Sequence, residues 1–331
     1  MTRVYCDLGN SVASSWSGFP MSLLLVAAAW AGILDQAIEI RRAGDLVGAA
    51  SLLDALHPLV DEADEGRWLL ERGIVEELAW RQKAAEPYLR AAIELGGDVG
   101  LEARYHLVVV LDDLGRGGEA SDELRALQSA HGLNPDFVPV LRIQAGVLDV
   151  RAGRTARGQR QIRRGLADVK DADRHSWMVG RGRFALLDSA ADRGDRLSLT
   201  TRSAKLRRDL RERVRALSEA EKLLYEVIKT EEPEWITSAL LRVGDTYAAL
   251  ADDLVVSPPP ASLTEDQAAI YRVEIARKAE GPRTKALLCY DRGVSYAKQV
   301  AWEGEVVAVL KERRELLSSS KEGSAASDAW E

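Results

Sequence analysis

The sequence predicts an all-α chain built from repeated helical hairpins. Three observations carry that expectation. A hairpin pattern in residues 33–58 (ILDQAIEIRRAGDLVGAASLLDALHP) recurs three more times at a near-constant interval. Runs that alternate apolar and polar residues, the mark of a half-buried strand, are nearly absent. Ala, Leu, Glu and Arg dominate, and such residues lose little on entering a helix. A chain of 331 residues can bury several repeats' worth of core. Repetition favours a stack in which each hairpin touches its neighbours.

In the first hairpin, Ile33, Ala37 and Ile40 stand at i, i+4 and i+7, one face of a helix. Gly44 can close that helix in the left-handed conformation, and Asp45 can cap the next. Ala49, Leu53 and Leu56 continue the spacing on a second helix, which Pro58 ends. Small residues at Ala37 and Ala49 let the two helices approach closely. The later copies carry Gly73, Ala85, Leu89 and Ala92; then Val108, Gly115, Ala120, Leu124 and Leu127; then Gly146, Gly153, Gly158, Ile162 and Gly165. Their alanine-type positions, 49, 85, 120 and 158, are 36, 35 and 38 residues apart. The second copy has Trp80 where the turn glycine belongs. The fourth places Gly158 and Gly165 inside a helix, each a modest loss of propensity.

This pattern resembles the tetratricopeptide repeat (TPR), whose small, turn-glycine, alanine and large apolar positions fall here on Ala37, Gly44, Ala49 and Leu53. The TPR period is about 34 residues. The resemblance implies a TPR-like α-solenoid of antiparallel hairpins, and with it a concave groove lined by first-helix side chains that takes a protein or peptide. The inner-face positions it suggests are Arg104, Arg142, Asp149 and Arg242.

The opening segment is different. No charged residue lies between Asp7 and Asp35, and residues 21–31 (MSLLLVAAAWA) form an apolar run. Its end, Ala29, Trp30 and Ala31, has the small-x-small form of a signal-peptidase site, predicting export and a mature chain from Gly32. The alternative is a first helix whose apolar face caps the stack. The run is too short to span a membrane. Arg3 is its only preceding cation, and Met21 could be the start. Cys6 precedes the run, so it is no lipoprotein acceptor.

Between the third and fourth hairpins, Asn134, Pro135 and Asp136 signal a helix start. The middle of the chain is basic. Residues 142–215 carry 20 Lys/Arg against 9 Asp/Glu, so the rest carries −18 of the overall −7. Arg157, Arg160 and Arg164 share one side of a helix. They form either a docking stripe for an acidic partner or a solvated face, and the solvated face is the commoner outcome. A fifth hairpin is expected to begin near Trp177. Residues 203–229 read as one long amphipathic helix with Leu206, Leu210, Val214, Leu217, Leu224 and Ile228 inward.

Further on, a helix starts at Pro233, and Leu240, Val243, Gly244 and Tyr247 match the first half of the TPR signature. Residues 255–260 (VVSPPP) interrupt it, since three prolines cannot continue a helix. A capping-box pattern at Ser262 to Glu265 opens another helix. The second half of the signature follows late, as Ala286, Tyr290 and Gly293, so about 30 residues are inserted into one hairpin. This C-terminal order, with Pro282, Lys285, Ala286 and Tyr290, is similar to the module of envelope-associated TPR proteins, including those of bacterial gliding motility. That resemblance implies an envelope location and carries no catalytic residues.

The expected organisation is an apolar or signal segment at 1–31, TPR-like repeats at 32–200, a helical module with a proline-loop insertion at 201–317 and a flexible tail at 318–331. No enzyme, cofactor or metal is expected. His57, His106, His131 and His175 form no ligand pair. There is no G-x-S-x-G and no Walker loop, and the Gly180–Gly182 pair follows no strand. Cys289 has no neighbouring histidine, and Asp252 with Asp253 reads as helix-end surface. The function expected is a non-catalytic scaffold in the cell envelope. The alternative is a cytoplasmic regulator whose basic middle binds an acidic partner or nucleic acid. Against it, no aromatics interleave the arginines and the chain is acidic overall. Oligomeric state is left open.

Overall fold

The computed structural model describes the backbone of residues 21–197 and 203–327, and the side chains of 32–197 and 205–319. Among these residues every regular element is helical. Internal contacts divide the chain into a first unit ending at Met178 and a second beginning at Val179. The boundary expected at 200/201 thus lies some twenty residues earlier.

The first unit is four antiparallel hairpins: α1 (Met21–Arg42) with α2 (Leu46–Leu56), α3 (Glu65–Leu78) with α4 (Gln82–Leu95), α5 (Gly97–Asp113) with α6 (Gly117–Gln128), and α7 (Val138–Arg151) with α8 (Thr155–Asp168). The turns are built as the sequence requires. Gly44, Gly115 and Gly153 take φ of +90°, +75° and +78°. Asp45 accepts a hydrogen bond from the Gly48 amide at 2.8 Å, capping α2. Asn134 caps the short turn before α7 by accepting from the Asp136 amide. Trp80 replaces the glycine without changing the turn, at φ +59°. An L-residue is held there at a cost of roughly 1–2 kcal/mol.

The repeated small and large positions are the seams. Ala49, Leu53, Leu56, Ala85, Leu89, Ala92, Ala120, Leu124, Leu127 and Ile162 are all buried. On α1 the buried face is Leu34, Ala37, Ile38 and Arg41, so Ile33 and Ile40 flank the seam rather than form it. The ring of His57, at the end of α2, stacks on Trp68 at 4.2 Å. The Trp68 indole donates to the Leu53 carbonyl at 2.7 Å, fastening the second hairpin to the first.

The first helices are also tied to one another by buried polar pairs, one per junction. Arg41 of α1 meets Glu71 of α3 at 3.0 Å. Glu77 of α3 meets His106 of α5 at 2.6 Å, both about fully buried. Gln144 of α7 donates to Asp112 of α5 at 3.0 Å, and Arg151 joins the same carboxylate at 2.6 Å. Each pair satisfies groups that would be expensive to bury alone.

The second unit holds α9 (Ser176–Asp195), which begins at the boundary, α10 (Ser203–Ile228), α11 (Pro233–Val256), α12 (Glu265–Gln299) and α13 (Glu305–Ser327). α9 joins the later helices because its side chains do. A Cβ on Gly180 would stand 2.5 Å from the Trp235 ring of α11, so the glycine makes room for packing rather than for a phosphate. Phe184 stacks on the same indole at 5.6 Å.

The proline segment 257–263 ends α11, and the 35-residue α12 then runs unbroken through Pro282. The insertion and the delayed second half of the signature are therefore one helix. Its capping box is Thr264 with Gln267, two residues beyond the expected one. The backbone of α13 is helical to Ser327, within the stretch expected to fray. α10 departs from expectation in its inner side. Asp209, Arg213, Ala216, Leu217, Ala220 and Val227 are buried, whereas Val214 and Ile228 are exposed. Small Ala216 faces α9, 3.2 Å from where a Cβ on Gly194 would stand, and Arg213 ion-pairs with Asp253 of α11. The bulkier Leu224 and Ile228 are left at the side.

Candidate functional site

What α10 leaves at its side becomes the wall of a groove of about 600 Å³ within the second unit. The floor is a single stripe of α11, Ile236, Leu240, Val243 and Tyr247, at i, i+4, i+7 and i+11. One wall is α10, with Leu224, Tyr225 and Ile228; the other is α12, with Leu288, Cys289 and Tyr296. Floor residues are no more than 5% exposed, but wall residues open to solvent: Tyr225 66%, Leu288 46% and Ile228 40%.

The walls stay apart for identifiable reasons. Gly244 lies on α11 where α12 crosses it, and a Cβ there would stand 2.5 Å from the Tyr290 ring. The glycine admits the ring, and the ring spaces the helices. The Tyr290 hydroxyl donates to Asp245 at 2.8 Å, locking it. At the rim, the Tyr247 hydroxyl donates to Glu221. Lys285 donates to the Tyr247 hydroxyl at 2.8 Å and sits 4.9 Å from the centre of its ring. Glu221 and Lys285 thus satisfy each other through the tyrosine. Lys222 and Arg292, also at the groove, make no ion pair among the described residues. Burial pushes the Cys289 thiol up to about 11, so it stays protonated and is a poor nucleophile at neutral pH.

The structure places the inner-face residues expected from sequence elsewhere. Arg104 pairs with Glu123 at 3.5 Å, and Arg142 with Asp168. Asp149 is buried and holds Arg154 at 2.6 Å and Arg157 at 2.9 Å. Arg242 is clamped by three carboxylates of α9: Asp188 at 2.6 Å, Asp192 at 2.6 Å and Asp195 at 2.8 Å. Burial works against its charge, but the hydrogen bonds it donates to Asp188 and Asp195 outweigh that and raise its pKa. Of the arginine stripe, Arg157 is thereby engaged, while Arg160 and Arg164 are exposed and without an ion pair. The groove brings together none of these seven residues.

Sequence reasoning did mark Leu240, Val243 and Tyr247, as signature residues of a seam. It missed that the seam is open. Among the described residues no group of three His, Cys, Asp or Glu could hold a metal ion, and no helix is long and apolar enough to cross a membrane.

Hairpins with positive-φ turns, small-residue seams and first-helix ties define an all-α helical-repeat protein whose hairpins are TPR-like. No family model matches the chain, and no curated protein does. Among solved structures it is similar to a tetratricopeptide repeat protein from Parabacteroides merdae, at 14% identity, over 88% of this chain and 99% of that one, with a TM-score of 0.41.

Proposed function

We propose that the protein is a non-catalytic scaffold and that the α10–α11–α12 groove is where it binds another protein. The observation that carries this is the groove's construction: a sealed apolar floor between walls whose Tyr225, Leu288 and Ile228 remain partly in water. Exposed apolar side chains converging on a concavity gain from being covered, at about 25 cal/mol per Å². Charged side chains at the rim, Glu221, Lys222, Lys285 and Arg292, can orient a ligand over that floor.

We place the protein in the cell envelope. Support comes from the uncharged stretch between Asp7 and Asp35, with its Ala29-Trp30-Ala31 ending, and from the gliding-motility-like order of the C-terminal module. Residues 21–31 are helical as the start of α1, and their side chains lie outside the described residues, as do residues 1–20 with Cys6. A periplasmic species beginning at Gly32, by N-terminal sequencing of fractionated cells, is the expected result. A cytoplasmic species retaining residue 21 overturns the location and leaves the groove untouched.

The groove is tested by photocrosslinking in the native host. A crosslinker at Tyr225 or Leu288 is expected to give a protein adduct that disappears when Ile228→Asp is added. Adducts from Arg104 or Arg142 instead, with none from the groove, would move binding to the first-helix face.

A further inference from the structure

The groove also specifies what kind of segment fits it, an inference that rests on its reading as a protein-binding site. We propose that its occupant is an amphipathic helix of a partner protein, carrying acidic residues on either side of its apolar stripe.

The shape argues for a helix. α10 lines the groove from Ser218 to Ile228 and α12 from Lys285 to Gln299. At 1.5 Å per residue these walls are about 15 and 21 Å long, which a helix of roughly 10–14 residues spans. The floor's i, i+4, i+7, i+11 spacing presents holes at the interval of a facing helix's own apolar residues. No regular element of the described residues is a strand, so none offers an edge for an extended peptide to extend.

The charge argues for acid. Lys222 on one wall and Arg292 on the other have no ion pair among the described residues. The groove's one carboxylate, Glu221, is already bonded by the Tyr247 hydroxyl and by Lys285 at 3.4 Å. An entering helix therefore meets two unsatisfied cations, one on each side, over an apolar floor. Carboxylates flanking its stripe would answer both. A basic helix would add like charge and leave Lys222 and Arg292 uncompensated.

The test uses the full chain and two labelled peptides of about 14 residues with identical leucines at i, i+4 and i+7. One is flanked by glutamates and the other by lysines. Anisotropy is expected to show the glutamate peptide binding at least ~10-fold tighter at ~50 mM salt, with the gap narrowing at ~300 mM. The peptide should gain helical circular dichroism on binding. Lys222→Glu with Arg292→Glu should reverse the preference. Ile228→Asp or Leu288→Asp, at exposed wall positions, should abolish binding with the protein's own dichroism unchanged. Equal affinity for both peptides, a lysine preference, or binding indifferent to the wall variants overturns the proposal. So does a dimer by sedimentation that Ile228→Asp dissolves, since a second copy would then be the occupant. If groove crosslinks persist while the glutamate preference is absent, the acidic helix falls and the protein-binding groove stands. If neither crosslink nor peptide binds, both fall.

Discussion

Hairpins α7–α8 and α11–α12 use glycine at the same kind of crossing and reach opposite ends. In α7–α8 the glycines face each other. A Cβ on Gly158 would stand 2.5 Å from the Gly146 carbonyl oxygen, and one on Gly165 2.8 Å from that of Pro139. Backbone lies on backbone, and the seam is shut. In α11–α12 only one side is glycine, Gly244, and the other inserts the Tyr290 ring. There the glycine meets a ring rather than backbone, and beside that crossing the buried stripe of α11 forms the floor of the groove between α10 and α12. A glycine at a crossing can thus face either a carbonyl or a ring.

The comparison can be broken most sharply at Gly158. Alanine would gain about 1 kcal/mol of helix propensity. It would also drive a methyl into a carbonyl that cannot move without separating the helices, a cost of roughly 3 kcal/mol. Gly158→Ala is therefore expected to destabilise by about 2 kcal/mol in urea unfolding.

Next in size is Arg242→Ala, on the face of α11 turned away from the groove. It strands Asp188, Asp192 and Asp195 on consecutive turns of α9. The carboxylates are 42%, 47% and 29% exposed, so water screens part of the loss and roughly 1–2 kcal/mol is expected.

Glu102→Gln probes the first unit by pH. Burial pushes the Glu102 carboxyl up to about 7, against the pull of His106. The folded state therefore holds a proton that the unfolded state gives up near the ordinary glutamate value. Stability falls as pH rises from that value to about 7. The glutamine variant lacks this loss, so its melting temperature should gain on the parent's across that window and hold the gain above it. A constant difference from pH 4 to 8 would refute the assignment.

The smallest effect is expected at Gly244. An alanine there meets a ring rather than backbone, but the ring is buried and held by Asp245, so a contact cost of roughly 2 kcal/mol against about 1 kcal/mol of propensity should leave Gly244→Ala destabilised by about 1 kcal/mol. It should instead shift Tyr290 and weaken peptide binding. A loss as large as that of Gly158→Ala would mean the ring is as immovable as a carbonyl and erase the distinction.

The hairpins were legible because their signals are local. A turn glycine, an aspartate cap and small residues four apart act within one pair of helices. The groove was not, because it depends on how far apart two helices stand, which no run of residues states. Leu224 and Ile228 look like core of α10 by periodicity. The buried face instead includes Arg213, an unpromising core residue by sequence, which pairs with Asp253. The ion pairs of the inner-face arginines were illegible for a related reason. A charge beside a repeat signature looks available, yet Arg142 and Arg242 are consumed by neighbouring helices. The polar ties did leave a trace: Arg41 with Glu71, Glu77 with His106, and Asp112 with Gln144 lie 30, 29 and 32 residues apart, close to the repeat interval.

Those ties have a bearing on how the chain could change over time. The junctions use different sets of partners: guanidinium with carboxylate, imidazole with carboxylate, and one carboxylate shared by an amide and a guanidinium. A hairpin copied or moved to another place would arrive opposite a mate it does not match, and would bury a lone polar group. The repeats share a blueprint but are keyed in sequence, like the wards of a lock. Growth by duplication is therefore blocked inside the stack.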